Sequence, residues 1–391
     1  MPEDITFSKA TNTAGNSFVG FKIEDGQAFI FYPEAFRLSS KKEDKQKDIL
    51  LLLKTISLAK NRPEYLSSYL RSGTSEGEKS FPFDAYFYLI SDYFGSGRYS
   101  PKEKTWSVSG DGKINWKKTT EQNPILTQGG FVFTNVFKEL SKDKHDILYE
   151  AYRYCVEQSI EMIGWLYGIP STFSPILSKK SAYLRAINTA LQHTFNSKDK
   201  VRLFSMREVL LGISGRIKDV KRLRYGIDTY DYVFERLVDH AFGNVDDISA
   251  FYPQSSWVIG EKETPSTFLR PDSAAVTGDK VLIIDAKYYR FGTTGSISDL
   301  PDTTSIEKQI TYGDYVRNFL QEKKQVQSVF VLPCLASDKG PLIQKFGYAK
   351  ANWQVEEGQE KIPAVLVDLR SLIFAFEKEK SSLLPDLLKS L

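Results

Sequence analysis

The stretch RPDSAAVTGDKVLIIDAKYYR, Arg270 to Arg290, runs through the aliphatic residues Val281–Ile284 and then meets Asp285 and Lys287. Thr277-Gly278-Asp279-Lys280 reads as a turn between two apolar runs, so strands over 267–276 and 280–289 are predicted to lie antiparallel. Side chains alternate along a strand, which places Asp285 and Lys287 on one face. The hairpin returns Asp272 to the side of Asp285. Two carboxylates and one ammonium are therefore expected to converge at one edge of a sheet.

The surrounding pattern supplies that sheet. Strands are expected at 255–260, 267–276, 280–289, 326–334, 346–354 and 362–369, with a helix from Thr304 to Phe319 before the fourth. Apolar runs broken by a crossover helix predict an α/β fold with a mixed central sheet flanked by helices. Upstream the period is helical over 146–168, 181–195, 201–213 and 228–244. In the last of these Tyr230, Phe234, Leu237 and Ala241 form the stripe to be buried, and Gly243-Asn244 end the helix. Residues 1–140 look like an irregular α+β region. Hairpins are predicted around Glu24-Asp25-Gly26 and Asp111-Gly112, a helix over 48–60, a surface loop over 67–80, and 81–94 fits either a helix or a strand.

Composition narrows the classes. The 391 residues suffice for two or three domains, and 41% hydrophobic with 26% charged content is that of an ordinary globular protein. A net charge of +3 means that any basic surface is local. Cys155 and Cys334 have no cysteine or histidine near them in sequence, which argues against a disulfide framework or a zinc site. His145, His193 and His240 each stand alone and read as ordinary histidines. No signal-like N-terminus and no bilayer-length apolar run is seen, so a cytoplasmic protein without a membrane partner is expected.

The trio of Asp272, Asp285 and Lys287 suits metal-assisted phosphodiester hydrolysis. A phosphodiester is anionic and repels hydroxide, so its hydrolysis calls for a cation that neutralises charge and activates water. Two hard oxygen ligands with room for water and phosphate are how Mg2+ is commonly held, and Mn2+ can substitute. The lysine can orient or deprotonate the water, or stabilise charge building on phosphorus. A bare acid-x-Lys tripeptide carries little: Glu43-Asp44-Lys45, Asp111-Gly112-Lys113, Asp219-Val220-Lys221 and Glu322-Lys323-Lys324 also occur, in turns or charged runs.

Pro271-Asp272 followed by Asp285-Ala286-Lys287 resembles the signature of the PD-(D/E)XK nucleases. That resemblance implies a restriction-endonuclease-like core in which both acids bind metal and the lysine serves the nucleophilic water. It further implies a metal-binding glutamate on the preceding helix, matched by Glu235, and a Gln-x-x-Tyr helix, matched by Gln309 and Tyr312. The order of these elements is most similar to the McrC-like nucleases and the LlaJI restriction endonucleases. GKINWKKT, 112–119, resembles an N-terminal element of the latter group.

On this reading residues 226–391 form the nuclease domain, 141–225 a helical connecting and DNA-contacting segment, and 1–140 a DNA-recognition or partner-binding region. Between Lys198 and Arg224 there are nine basic and three acidic residues, among them Arg202, Arg207, Arg216, Lys221, Arg222 and Arg224. They could track phosphates or equally form a solvated helix face. Lys113, Asn115, Trp116, Lys117 and Lys118 form a second basic-aromatic candidate. The expected partners are double-stranded DNA, a second copy or second nuclease subunit for double-strand cutting, and a cognate methyltransferase in the same system. Alternatives are a McrC-like subunit that cuts only with a nucleotide-driven motor, and a non-catalytic DNA-binding subunit. The chain itself has no P-loop signature.

Overall fold

The computed structural model describes residues 5–13, 15–24, 27–60, 83–97, 99, 102–108, 112–143, 146–169, 179–212, 222–319, 324–335, 342–353, 361–377 and 383–391. The chain is a mixed α/β protein with several sheets. It divides into two compact units, one of residues 2–80 together with 221–391, the other of residues 81–220. These units do not coincide with the divisions at 140 and 225 expected from sequence. The first strands fold with the C-terminal half because an antiparallel ladder from Val19↔Ile227 to Glu24↔Arg222 joins them.

The larger unit opens with β1 (Ile5–Ala10), β2 (Val19–Glu24), β3 (Gln27–Pro33) and α1 (Lys42–Lys60). The smaller unit follows with α2 (Phe83–Ser96), β4 (Lys102–Ser107), β5 (Lys113–Ile114), α3 (Trp116–Thr120), β6 (Ile125–Thr127), β7 (Gly130–Val132), β8 (Lys138–Asp143), α4 (Ile147–Ile163), α5 (Lys180–His193) and α6 (Ser197–Gly212). The larger unit resumes with β9 (Arg222–Ile227), α7 (Asp231–Phe242), β10 (Gln254–Ile259), β11 (Lys262–Phe268), β12 (Ser273–Thr277) and β13 (Lys280–Ala286). It ends with α8 (Phe291–Thr294), α9 (Thr303–Phe319), β14 (Gln325–Cys334), β15 (Ile343–Ala349), β16 (Ile362–Asp368), α10 (Leu369–Glu377) and α11 (Leu384–Ser390).

In the smaller unit α2, α4 and α6 pack together, burying Phe83, Tyr86, Leu89, Tyr152, Cys155, Leu203 and Met206. From Phe83 on, the aromatic stretch is thus a helix, since its buried side chains recur at helical spacing. The hairpin expected at 107–116 does not form. β4 and β5 each pair with β8, which lies between them, so a strand supplied from later in the chain displaces the local pairing.

The larger unit holds a five-stranded sheet in the order β12-β13-β14-β16-β15. β12 and β13 are antiparallel, β13, β14 and β16 run parallel, and β15 is antiparallel to β16. The crossover through α9 is what allows β13 and β14 to be parallel. Val281, Leu282, Ile283 and Ile284 are at most 1% exposed, which is why this strand has no polar alternation until Asp285. Val281 and Ile283 pack with Tyr312 and Val316 of α9, so Asp285 faces the α9 side by alternation.

On α7 the predicted stripe Tyr230, Phe234, Leu237 and Ala241 is buried. At its end Gly243 approaches β12 so closely that a Cβ would sit 2.5 Å from Ser273 Oγ. Asn244 then binds the backbone of Val276 through both side-chain polar atoms, covering the free edge of β12. The strand expected over 267–276 is two strands. β11 ends at Phe268 and pairs with β10 in a separate ribbon, while β12 starts at Ser273. Pro271, lacking an N–H, sits in the break.

Candidate active site

Asp272 lies in that break and Asp285 near the end of β13. One register step beyond the Ser273↔Ile284 pair, Asp272 Oδ2 accepts a hydrogen bond from Ala286 N at 2.7 Å, which fixes this carboxylate against the neighbouring strand. Lys287 follows β13, its own N–H bonded to Val331 O at 2.9 Å. Its Nζ lies 2.5 Å from Asp285 Oδ2. Strand alternation therefore delivers the expected trio of Asp272, Asp285 and Lys287 to one place.

Glu235 joins them from α7, and Gln309 from α9. Gln309 is fully buried, and its backbone carbonyl accepts from Ser328 Oγ at 3.0 Å, so α9 is pinned to β14 at this point. Neither polar atom of its amide makes a hydrogen bond, and Asp285 Oδ2, ion-paired with Lys287, is also buried without one. The amide still faces Asp285 closely enough to favour its charged form. Tyr312, one turn on, is buried as well.

The acids repel one another. Burial, followed by the charges of Asp285 and Glu235, pushes the Asp272 carboxyl well above the usual range, against the opposing pull of Lys287 and Ala286 N–H. Asp285 is raised by burial, with Lys287 and Gln309 opposing. Glu235 is pushed up to about 7, chiefly by burial, with Asp231 and Asp285 adding and Lys287 opposing. Burial works against the Lys287 ammonium, yet Asp285 and Asp272 hold its proton affinity above the ordinary lysine value. Among the described residues, no group of three or more His, Cys, Asp or Glu side chains is arranged to close on one ion. The chemistry on offer is therefore two buried carboxylates, a third nearby, and a protonated lysine.

A family model described as LlaJI restriction endonuclease matches residues 18–370. The chain belongs to this family. As a LlaJI-family chain it is 23% identical over 259 residues to the type II restriction enzyme BsuMI component YdjA of Bacillus subtilis (strain 168). That match covers 61% of this chain and only 55% of the relative's length. Among solved structures it is similar to a half-complex of Thermococcus gammatolerans McrB AAA+ hexamers with bound McrC. The TM-score is 0.37 at 16% identity, with 90% of this chain and 77% of the other covered. For the Thermococcus gammatolerans McrBC complex the TM-score is 0.22 at 14% identity, covering 57% and 65%. Both scores lie below the level at which a shared fold can be argued.

The other candidates of this LlaJI-family chain fare unevenly. Arg202 is buried, bonded to Asp92 at 2.7 and 3.0 Å and to Asp199 at 2.5 Å, with Tyr99 under its guanidinium. That leaves it no surface for phosphate. Asn115 caps α3 by accepting from Lys118 N, and Lys118 Nζ lies over the Trp106 ring at 4.9 Å. Lys113, Trp116 and Lys117 remain exposed. Arg207 lies over Phe204, and Arg224 over Phe18 with Asp228 as its ion partner. Arg216, Lys221 and His145, the loop 67–80 and the side chain of Arg222 lie outside the described residues. His240 packs edge-on against Phe376. No helix of the described residues is long and apolar enough to cross a membrane.

Sequence reasoning missed Asp231 and Asn12. Asp231 precedes Glu235 by one helical turn, is raised by burial, and accepts from Asn12 Nδ2 at 3.3 Å. The i,i+4 spacing of Asp231 and Glu235 was a visible signal. Nothing local marks Asn12.

Proposed function

We propose that this chain is a Mg2+-dependent endodeoxyribonuclease of a prokaryotic restriction or defence system, hydrolysing double-stranded DNA at or near a specific sequence. The reading takes the five-stranded sheet with α7 and α9 as a restriction-endonuclease-like core of the PD-(D/E)XK type. The observation that carries it is the convergence of Asp272, Asp285 and Lys287 where β13 ends.

The residues fit a hard divalent cation. Two buried, mutually repelling carboxylates that share one lysine, beside a buried Gln309 amide without a hydrogen bond, favour a further positive charge and water. Asp272 and Asp285 would hold the ion and Glu235 would complete its surroundings, while water and phosphate supply the remaining ligands. When bound, Mg2+ or Mn2+ supplies charge neutralisation at the phosphate and lowers the pKa of a coordinated water.

The protein's own groups divide the remaining work. Lys287, the ammonium beside Asp285, would neutralise and donate to the scissile phosphate or orient the attacking water. Ala286 N–H holds Asp272 in place, and the ion pair with Lys287 does the same for Asp285. Exposed Lys113, Trp116 and Lys117, with Arg207 and Arg224, are the candidate DNA contacts.

A partner is part of the proposal. One such site cuts one strand, so a double-strand break needs a second copy or a second nuclease subunit. The relative's name, a component of a type II restriction enzyme, supports a further subunit; a cognate methyltransferase in the same system belongs to the proposal without such support. Incubation of the purified protein with Mg2+ and mixed plasmids, followed by sequencing of the ends, tests the reading. Wild-type cleavage by the Asp285→Ala variant would refute the site.

A further inference from the structure

β1 and β3 are parallel neighbours, so Asn12, just past β1, and Glu34, just past β3, leave the N-terminal sheet at the same end. Asn12 Nδ2 donates to Tyr288 O at 2.9 Å and to Asp231 Oδ1 at 3.3 Å. The Glu34 carboxylate accepts from Arg290 Nε at 2.8 Å and from Arg290 Nη2 at 3.3 Å. Tyr288 directly follows Lys287, and Arg290 lies just beyond it. Asp231 stands one turn before Glu235 on α7. One grip closes on the backbone next to Lys287, at Tyr288 O, and also on Asp231 of the helix that carries Glu235; the other holds the side chain of Arg290, three residues past Lys287.

We propose that Asn12 and Glu34 form a two-point clamp that fixes the Lys287 segment against α7, making the N-terminal sheet a working part of the active site. The inference rests on the nuclease reading above. Its physical reason is that β13 ends at Ala286, so beyond the Lys287 N–H the central sheet no longer dictates where the chain goes. Lys287 and Glu235 have long side chains, and their heads meet reproducibly only when their backbones are held. An asparagine suits the junction because its amide offers two N–H donors, one for a carbonyl and one for a carboxylate; an aspartate there has none. Tyr288 supports the clamp, its ring lying against Tyr230 at 5.4 Å and Phe234 at 5.8 Å. Asn12 and Glu34 are positioning residues.

The test uses the full chain with Asn12→Ala and, separately, Glu34→Gln. Single-turnover kcat on plasmid DNA should fall by ~10–100-fold, as misplacement of a catalytic group by about 1 Å does, with KM and Tm near wild type. Hydrogen exchange at the Lys287 and Tyr289 amides, bound to Val331 O and Lys287 O, should accelerate by roughly tenfold, while Val281–Ile284 keep wild-type protection. An unchanged kcat, or exchange that rises evenly along β13 together with a fall in Tm, overturns the clamp. Should the wild type cut no DNA, the nuclease reading fails by itself. The exchange pattern then decides the clamp independently.

Discussion

In a cation-free buffer, Glu235→Gln should make the protein more stable, and increasingly so as the pH rises. Folding moves the Glu235 carboxyl from 4.5 to about 7. A group whose proton affinity is raised by folding leaves the folded state holding more protons than the unfolded one. Stability then falls as the pH climbs from 4.5 to 7 and levels off above. At about 1.36 kcal/mol per pH unit, the penalty is negligible at pH 4 and on the order of 3 kcal/mol at pH 8. Glutamine fills the same space and carries no charge. Asp272 and Asp285 share the field and respond as Glu235 ionises, so about half of that penalty is the expected gain. For the larger unit, residues 2–80 with 221–391, this raises Tm by ~3–6 °C at pH 8 and hardly at all at pH 4. Thermal unfolding in EDTA at pH 4, 6 and 8 measures it. Adding Mg2+ at pH 8 should lift the wild type and narrow the gap. A difference that is flat across pH, or a variant less stable at pH 8, would refute the placement of Glu235 in the charge cluster.

Asp285→Ala should lower cleavage by at least ~10²-fold while leaving DNA affinity in a gel-shift assay within a factor of about two. Arg202→Met should destabilise the smaller unit by ~3–5 kcal/mol in denaturant unfolding by stranding the buried Asp92, whereas Lys117→Ala should leave stability alone and weaken DNA binding. Arg202 holds the Asp92 carboxyl below its usual range against the cost of burial. That stabilisation is present above the unfolded carboxyl pKa of about 3.9 and is lost as the pH falls through the lower folded value. Asp92→Asn should accordingly flatten the acid limb of the smaller unit's unfolding curve. Gly292→Ala should cost more than ~2 kcal/mol in thermal unfolding, because its Cβ would lie 2.1 Å from the Pro333 carbonyl oxygen.

The trio was legible because its physics is local. A turn, a two-residue alternation and an aliphatic root place Asp272, Asp285 and Lys287 together without knowledge of the rest of the chain. The α7 stripe was legible for the same reason. Arg202 was misread because it sits in a basic run, while the carboxylate that claims it, Asp92, is 110 positions away. β4 and β5 looked like a hairpin because the competing strand, β8, lies beyond both in sequence. Asn12 lies 219 positions from Asp231, and no periodicity reports a contact of that span.

β9 pairs with β2 and so closes the N-terminal sheet from the far side of the smaller unit in sequence. The smaller unit is an insertion: the chain leaves the larger fold after α1 and re-enters it at β9, and α1 packs against β9. A segment that departs from and returns to neighbouring points of one framework can be lengthened, exchanged or rewritten without altering the register of any strand around Asp285. Such a cassette separates change in the inserted unit from the packing around Asp285. In the ribosome, by contrast, the N-terminal sheet must wait for β9 before its last strand is in place. Early termination anywhere in the cassette therefore yields a chain without β9 and without Asp272 and Asp285.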